Sequence, residues 1–421
     1  MTSNHDDGQP PEDTRPTAPL LELDGGLPPV VETRAALQAA IESFQAGRGP
    51  IALDAERASG YRYSQRAYLI QVRRVGSGTS LIDPVPFGSV PNQSLQPLAD
   101  AVTDEEWILH AASQDLPCLA EVGMHPTRLF DTELAGRLLN FPRVGLAVLV
   151  EEVLGFSMRK EHSAVDWSKR PLPEPWLRYA ALDVEMLIEL RDQLEAQLEV
   201  AGKAQWARQE FEALAGMGPA AARKEPWRRT SGIHHVRGRR GLALVRAMWE
   251  TRDTIARERD VSSGRILKDA AIVEAAREAP TSRNALGRLG GFSHRNGQRY
   301  LKEFSTAVAA ALTLPESQLP AVAAIHEGPP PARTWSGRFP AAAARLAACR
   351  SALLEVADAH DVPQENLLAP DAVRRLAWQP PTSLTVNSVT AALAATGARP
   401  WQIELTSLTL TDALTGGTSA S

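Results

Sequence analysis

Two hydrophobic periods alternate along the first half of the chain. "ETRAALQAAIESF" repeats apolar residues at Ala36, Leu37, Ala40, Ile41 and Phe44, the spacing of an amphipathic helix. It stops at "QAGRGP", where glycine and proline end the pattern. Short apolar runs follow, "IALDAE", "AYLIQVRR", "TSLIDP" and "WILHAA", each with the length and composition of a strand. Helical patterns such as "QSLQPLADAV" and "QDLPCLAEVG" fall between or after them, and "RLFD" leads into a helix "TELAGRLLN". "VGLAVLVEEVLG" and one long run from Glu174 to Val200 read as closing helices. Hairpin-like strands followed by β/α alternation predict an α/β domain with a mixed sheet.

Beyond Val200 the strand signal ends. "LAGMGPAAARKEP" reads as a linker. The amphipathic helix "GLALVRAMWETRDTIARER" follows, repeating Leu242, Val245, Trp249, Arg252 and Ile255 beside a basic flank. Shorter helices are expected in "KDAAIVEAARE", "SRNALGRLG" and "RNGQRYLKEFSTAVAAAL". After a second linker, "EGPPPARTWSGRFP", the same plan returns. "RERDVSSGRILKDAAIVEAA" lies over "ADAHDVPQENLLAPDAVRRLA" almost without gaps, so a small all-α module is expected twice. The predicted boundaries are a tail at 1–29, an α/β domain at 30–215 and a linker at 216–235. Then come a first helical module at 236–315, a linker at 316–337, a second module at 338–415 and a tail at 416–421.

Charge changes the picture more than composition does. The net charge of −5 hides a block from Arg223 to Ser305 with 19 basic and 9 acidic residues, against 26 and 41 elsewhere. A basic block on an acidic chain points to a polyanionic partner, and because the second module is near neutral, the two need not bind the same thing. Two distant cysteines, Cys118 and Cys349, suggest neither a disulfide framework nor a zinc cluster. No apolar run has the length of a membrane span. The start, "MTSNHDDGQPPEDTRPTAP", lacks signal-peptide regions and reads as a disordered polar tail, so a reducing cytoplasm is the expected home. Nothing in the text indicates a membrane or an obligate protein partner.

The candidate chemistry lies in acids. In "PIALDAERASG" a strand's period of two sets Asp54 and Glu56 on one face, where two carboxylates about 6–7 Å apart repel each other unless something positive sits between them. In "WILHAASQDL", Ser113 is a plausible N-cap and Asp115 falls in the first helical turn, which alone reads as a helix-dipole acid. In "RYAALDVEML", Tyr179 and Asp183 share a helix face. Four acids in this order supply hard oxygen ligands suited to Mg²⁺ or Mn²⁺, with no His/Cys set in competition. Two such ions can clamp the attacking and leaving oxygens of a phosphoryl displacement.

"ALDAE", "LHAASQDL" and "YAALD" resemble the three exonuclease motifs of the DEDD superfamily, in its tyrosine-bearing branch. "AYLIQV", "LFDTELAGRLL" and "DWSKRPL" sit where ribonuclease D family members carry similar text, and the two helical modules resemble HRDC domains. The resemblance implies a ribonuclease H-like fold and a 3′-5′ exoribonuclease releasing nucleoside 5′-monophosphates from RNA with a free 3′ end, such as tRNA precursors. It implies that Asp54 bridges two divalent cations, that Glu56 and Asp183 complete the first site, and that Asp115 holds the second ion. Tyr179 would orient the attacking water. His110, Gln114 and Lys160 are candidate contacts to the terminal nucleotide, although packing or capping serves His110 and Gln114 equally well. Trp167 reads as a core anchor. Arg237, Arg239, Arg240, Arg246, Arg265 and Lys268 are candidates for a nucleic-acid patch on the first module. Arg57 departs from the family, which usually carries an aromatic or aliphatic residue after the Asp-x-Glu pair. A DNA exonuclease of the same superfamily and a non-catalytic nucleic-acid adaptor are the competing readings.

Overall fold

The structure is a computed structural model that describes residues 18–88, 95–159, 164–218, 223–322 and 328–416. Six strands form one sheet: β1 (Val30–Val31), β2 (Arg48–Arg57), β3 (Ala67–Val75), β4 (Gly78–Ile82), β5 (Glu106–Leu109) and β6 (Arg128–Asp131). Their spatial order is β1-β4-β3-β2-β5-β6. β2, β3 and β4 pair as an antiparallel meander, whereas β5 and β6 join β2 in parallel, so the sheet is mixed as the sequence predicts. Helices α1 (Arg34–Ala46), α2 (Gln96–Val102), α3 (Leu116–Ala120), α4 (Thr132–Leu138) and α5 (Leu146–Leu149) alternate with and follow the strands. α6 (Glu174–Glu185), α7 (Leu187–Val200) and α8 (Ala204–Ala215) close the domain.

β2 is central, and its alternation sets up the site. Ile51, Leu53 and Ala55 point into the core beneath α1 and α2, while Ala52 faces the opposite core, which contains α7. With a period of two, Asp54 and Glu56 leave the strand on the Ala52 face. β2 and β5 are parallel, so Asp54, Glu56 and the Asp115 loop share the carboxyl-end side of the sheet, where open α/β sheets bind ligands. α6 crosses β2, β3 and β4 on that face.

Several expectations are corrected. The single helix expected from Glu174 to Val200 breaks at Met186, whose backbone (φ −111°, ψ 8°) leaves the helical region. No proline or glycine marks the break. The adjoining Glu185 is 3% exposed and accepts hydrogen bonds from Arg73 Nη1 (3.2 Å), Thr79 Oγ1 (3.3 Å) and the Asp24 amide (3.2 Å), a tertiary anchor that holds the end of α6 on the sheet. The tail expected through residue 29 is seated from residue 18 onwards, with Leu21 6% exposed and its amide donating to Ser157 O at 2.8 Å. Residues 1–17 and 417–421 lie outside the described residues. The linkers are also narrower than expected, because Trp227, at 3% exposure, belongs to the first module's core and Trp335, fully buried, to the core that the second module shares with the exonuclease domain.

The first helical module comprises α9 (Gly238–Arg259), α10 (Ser263–Ile266), α11 (Asp269–Glu278), α12 (Arg283–Gly287), α13 (Arg295–Arg299) and α14 (Leu301–Thr313). The second comprises α15 (Trp335–Arg338), α16 (Pro340–Ala359), α17 (Gln364–Leu367), α18 (Pro370–Trp378), α19 (Val386–Ala395) and α20 (Pro400–Gly416). The repeat read from the sequence recurs in space. Each long helix is followed by an aspartate in the left-handed region, Asp260 (φ 45°) or Asp361 (φ 50°), then by a four-residue helix and a longer one.

Candidate active site

Asp54, Glu56 and Asp183 each offer a carboxylate oxygen within 4.8 Å of the others. β2 supplies the first two and α6 brings the third across the sheet. Tyr179, one turn earlier on α6, hydrogen-bonds Asp183 through its hydroxyl. Asp115 stands beside this trio. It is 6% exposed and is repelled by Asp54, while it in turn acts on Glu56 and Asp183.

Burial of several like charges leaves a protonation signature. Burial pushes the Asp54 carboxyl above its ordinary range, offset in part by the Ala55 amide and Arg57. Glu56 and Asp183 are raised well above theirs, first by burial and then by neighbouring carboxylates. Asp115 is pushed up to about 8 by burial and by Asp54, against the pull of Arg57. The Tyr179 hydroxyl is raised as well, chiefly by burial and next by Asp183, so it is a donor and not a base near neutrality. A site that makes its own acids hard to ionise is one that a cation would relieve. The donors are all oxygens, which fits a hard divalent ion.

The Asp115 loop is built differently from the sequence reading. Ser113 does not cap a helix; residues Ala112–Gln114 form a 3₁₀ turn after Ala111, which takes a left-handed conformation (φ 57°). The side chain that organises this turn is Asp131, which the sequence reading did not single out. It accepts from the amides of Ala111 (3.1 Å) and Ala112 (2.9 Å), and also from Glu133 (2.9 Å) and Leu134 (3.2 Å) at the start of α4. "LFDTE", an aspartate between a strand and a helix, carried the signal for the second pair only.

The remaining candidates divide. His110 Nδ1 lies 2.9 Å from Thr132 Oγ1, and burial lowers its pKa to about 4, so it is a neutral packing group behind the loop. Gln114 is exposed. Lys160 lies outside the described residues. Trp167 is fully buried against Trp176 (centroids 5.6 Å apart), a core anchor as expected, and Arg170 ties its segment to Asp83 at 2.5 Å.

Three regions of the chain match known families: residues 28–199 a family described as 3'-5' exonuclease, 241–308 the HRDC domain, and 328–414 a 3' to 5' exonuclease C-terminal domain. A ribonuclease D from Gluconacetobacter diazotrophicus is 33% identical over 306 residues, covering 70% of this chain and 73% of that protein. The chain belongs to the ribonuclease D family. Among solved structures it resembles a protein from Bifidobacterium adolescentis (36% identity, TM-score 0.86, 95% of this chain and 100% of that one). It also resembles Escherichia coli RNase D, described as an exoribonuclease involved in structured RNA processing (26% identity, TM-score 0.68, 92% and 99%). It is therefore a 3′-5′ exoribonuclease, with a DEDD exonuclease domain of a type that uses divalent metal ions and a C-terminal helical region containing one HRDC domain.

The arginines of the HRDC domain do not form one patch. Arg239 donates to the carbonyls of Glu316 (2.9 Å), Leu319 (2.7 Å) and Pro320 (3.2 Å). Arg240 donates to those of Ala311 (3.0 Å) and Leu314 (2.6 Å), and Arg246 to Gln318 (3.3 Å). These three satisfy carbonyls at the end of α14 and just after it. Arg237 and Lys268 remain exposed. Arg265 instead docks the HRDC domain on the exonuclease domain, donating to Gly60 O (2.9 Å) and stacking over the Tyr61 ring (4.2 Å). Around it, Tyr63 donates to Asp253 (2.9 Å), the Ser64 amide to Asp260 (2.8 Å) and Ser262 Oγ to Gly60 O (2.8 Å). The loop so clasped follows β2 directly. Among the described residues, no helix is long and apolar enough to cross a membrane.

Proposed function

We propose that Asp54, Glu56, Asp115 and Asp183 hold two divalent cations, Mg²⁺ or Mn²⁺, and that this site releases nucleoside 5′-monophosphates from RNA 3′ ends. The observation that carries the reading is the meeting of Asp54, Glu56 and Asp183 within 4.8 Å, with Tyr179 bonded to Asp183. The ions would supply charge stabilisation of the attacked phosphate and of the leaving oxygen. Asp54, on the central strand, would bridge them; Glu56 and Asp183 would complete the inner position and Asp115 the outer one. Tyr179, whose hydroxyl proton goes to Asp183, would accept a hydrogen bond from the attacking water and so orient it, the role of the tyrosine-bearing branch. The second helical module, read as a diverged HRDC repeat, supports the nuclease, while the first guides substrate. A groove of about 610 Å³ lined by Arg265, Lys268, His294 and Asn296 sets two of the basic candidates on one face beside the Tyr61 loop. Precursor tRNA in the cytoplasm is the proposed physiological substrate.

A denaturing-gel time course on 3′-tailed tRNA, with and without EDTA, tests this. Trimming by single nucleotides that EDTA abolishes is the expected result, and Asp54→Asn should lower the rate about a thousandfold, or about 4 kcal/mol in the barrier, with an unchanged circular dichroism spectrum. Metal-independent trimming, or an Asp54→Asn protein of undiminished rate, would refute it.

A further inference from the structure

The four acids have one cation among the described residues in their midst, and it comes from the same strand. Arg57 Nη2 lies 3.6 Å from Asp115 Oδ1; the Arg57 side chain is about one-quarter exposed (26%), whereas the Asp115 side chain is buried (8%). The separation is that of a charge contact and not a hydrogen bond. The β2–β3 register shifts at this point: Glu56 pairs with Leu69 and Arg57 with Ala67, so the unmatched residue, Tyr68, lies on β3 opposite the Glu56–Arg57 step. Bulges re-aim side chains beside active sites. Asp115, by contrast, belongs to a loop held by two hydrogen bonds to the buried Asp131. Of the two partners, the carboxylate is fixed and the guanidinium is the one able to move.

We infer that Arg57 is a built-in counter-cation of Asp115 which the outer divalent ion must displace, and that the displaced guanidinium is taken up by the terminal phosphate of the RNA. The inference rests on the two-ion reading above. A guanidinium and a divalent cation cannot share one carboxylate at contact distance without strong repulsion in a half-buried site. Binding of the outer ion therefore carries the cost of breaking the Arg57–Asp115 pair. A phosphate offsets that cost, because its oxygens match the planar donor fork of arginine. The outer position would then fill readily only with substrate or product in place, and Arg57 would act as a positioning residue that couples metal loading to RNA.

Mn²⁺ titration calorimetry on the full chain, with and without adenosine 5′-monophosphate, tests the coupling in wild type, Arg57→Gln and Arg57→Lys. The wild type should bind one ion tightly and one weakly. Arg57→Gln should tighten the weak site about tenfold, equivalent to about 1.4 kcal/mol, and move the tight site less than twofold. Arg57→Lys, which keeps the charge, should behave like the wild type. The monophosphate should strengthen the weak site in the two charged proteins and not in Arg57→Gln. In EDTA, Arg57→Gln should melt below the other two, since its buried carboxylates lose their counter-charge. A weak site that Arg57→Gln leaves unchanged or weakens, or a monophosphate effect equal in all three proteins, would overturn the role of Arg57 and leave the metal site standing. An absence of Mn²⁺ binding in every protein would overturn both.

Discussion

The two helical modules repeat one plan yet join the nuclease in opposite ways. The HRDC domain has its own core, to which the exonuclease domain contributes only the partly buried Tyr63, and it is attached by the hydrogen bonds around Gly60, Tyr63 and Ser64. Among the described residues, the second module has no core separate from that of the exonuclease domain. Trp335, Leu346, Leu353 and Trp401 belong to the same apolar cluster as Leu187, Leu194 and Phe211 of the exonuclease domain. Trp401 stacks on Trp206 at 4.6 Å, and the buried Lys203 reaches the carbonyls of Leu138 (2.8 Å) and Asp361 (2.6 Å). One module shares the core of the nuclease body and the other is joined to it through polar contacts. The basic charge lies on the HRDC domain, which suits a part that meets RNA. Apolar fusion gives rigidity, whereas a polar clasp allows release.

The largest effect should come from the fused side. Trp401→Ala should cost about 3–5 kcal/mol, because a fully packed indole leaves a cavity. Chemical denaturation should register the loss in the transition shared by exonuclease domain and second module, with the HRDC transition unmoved; equal shifts in both would erase the contrast. On the clasped side, Tyr63→Phe with Ser262→Ala removes three inter-domain hydrogen bonds, since the Tyr63 hydroxyl both donates to Asp253 and accepts from Arg257, about 1.5–4.5 kcal/mol together. The expected readout is faster proteolysis between the domains and a severalfold loss of rate on long RNA, with the rate on a dinucleotide unchanged.

Smaller effects sharpen the charge argument. Arg237→Gln with Lys268→Gln should weaken RNA binding and reduce the salt slope by about 1–1.5, measured by titration across salt concentrations. Arg239→Gln should instead lower HRDC stability, since its guanidinium holds three carbonyls. A pH effect is confined to the nuclease body. The folded protein holds the His110 pKa at about 4, below the unfolded value near 6.5, so the folded state binds fewer protons in that window. This contribution is complete above pH 6.5 and is lost as the pH falls towards 4. His110→Gln should flatten the stability profile over that range in thermal melts.

What the text of the chain revealed follows from the range of the interactions involved. Asp54 with Glu56, and Tyr179 with Asp183, were legible as face-sharing pairs from strand and helix periods, whereas their belonging to one site came from the resemblance of the three motifs; the sheet was legible from its apolar runs. The fusion of the second module was not, because the apolar face of α16 reads the same whether its partner is its own module or α7 and α8. The arginine patch failed for a related reason. Arg239, Arg240 and Arg246 look like free surface charge until the turn after α14 folds back and presents bare carbonyls to them. The break at Met186 was hidden because its cause, the sheet-bound Glu185, is tertiary.

Asp131 carries one more implication. A single carboxylate pins both the turn before α3 and the first turn of α4, so Asp115 is located by a residue outside the acidic trio. Moving that corner should displace Asp115 more than Asp54, Glu56 and Asp183, which stand on β2 and α6. Lineages or engineers seeking to retune how far the cleft opens have a handle there that leaves the carboxylates of Asp54, Glu56, Asp115 and Asp183 unsubstituted.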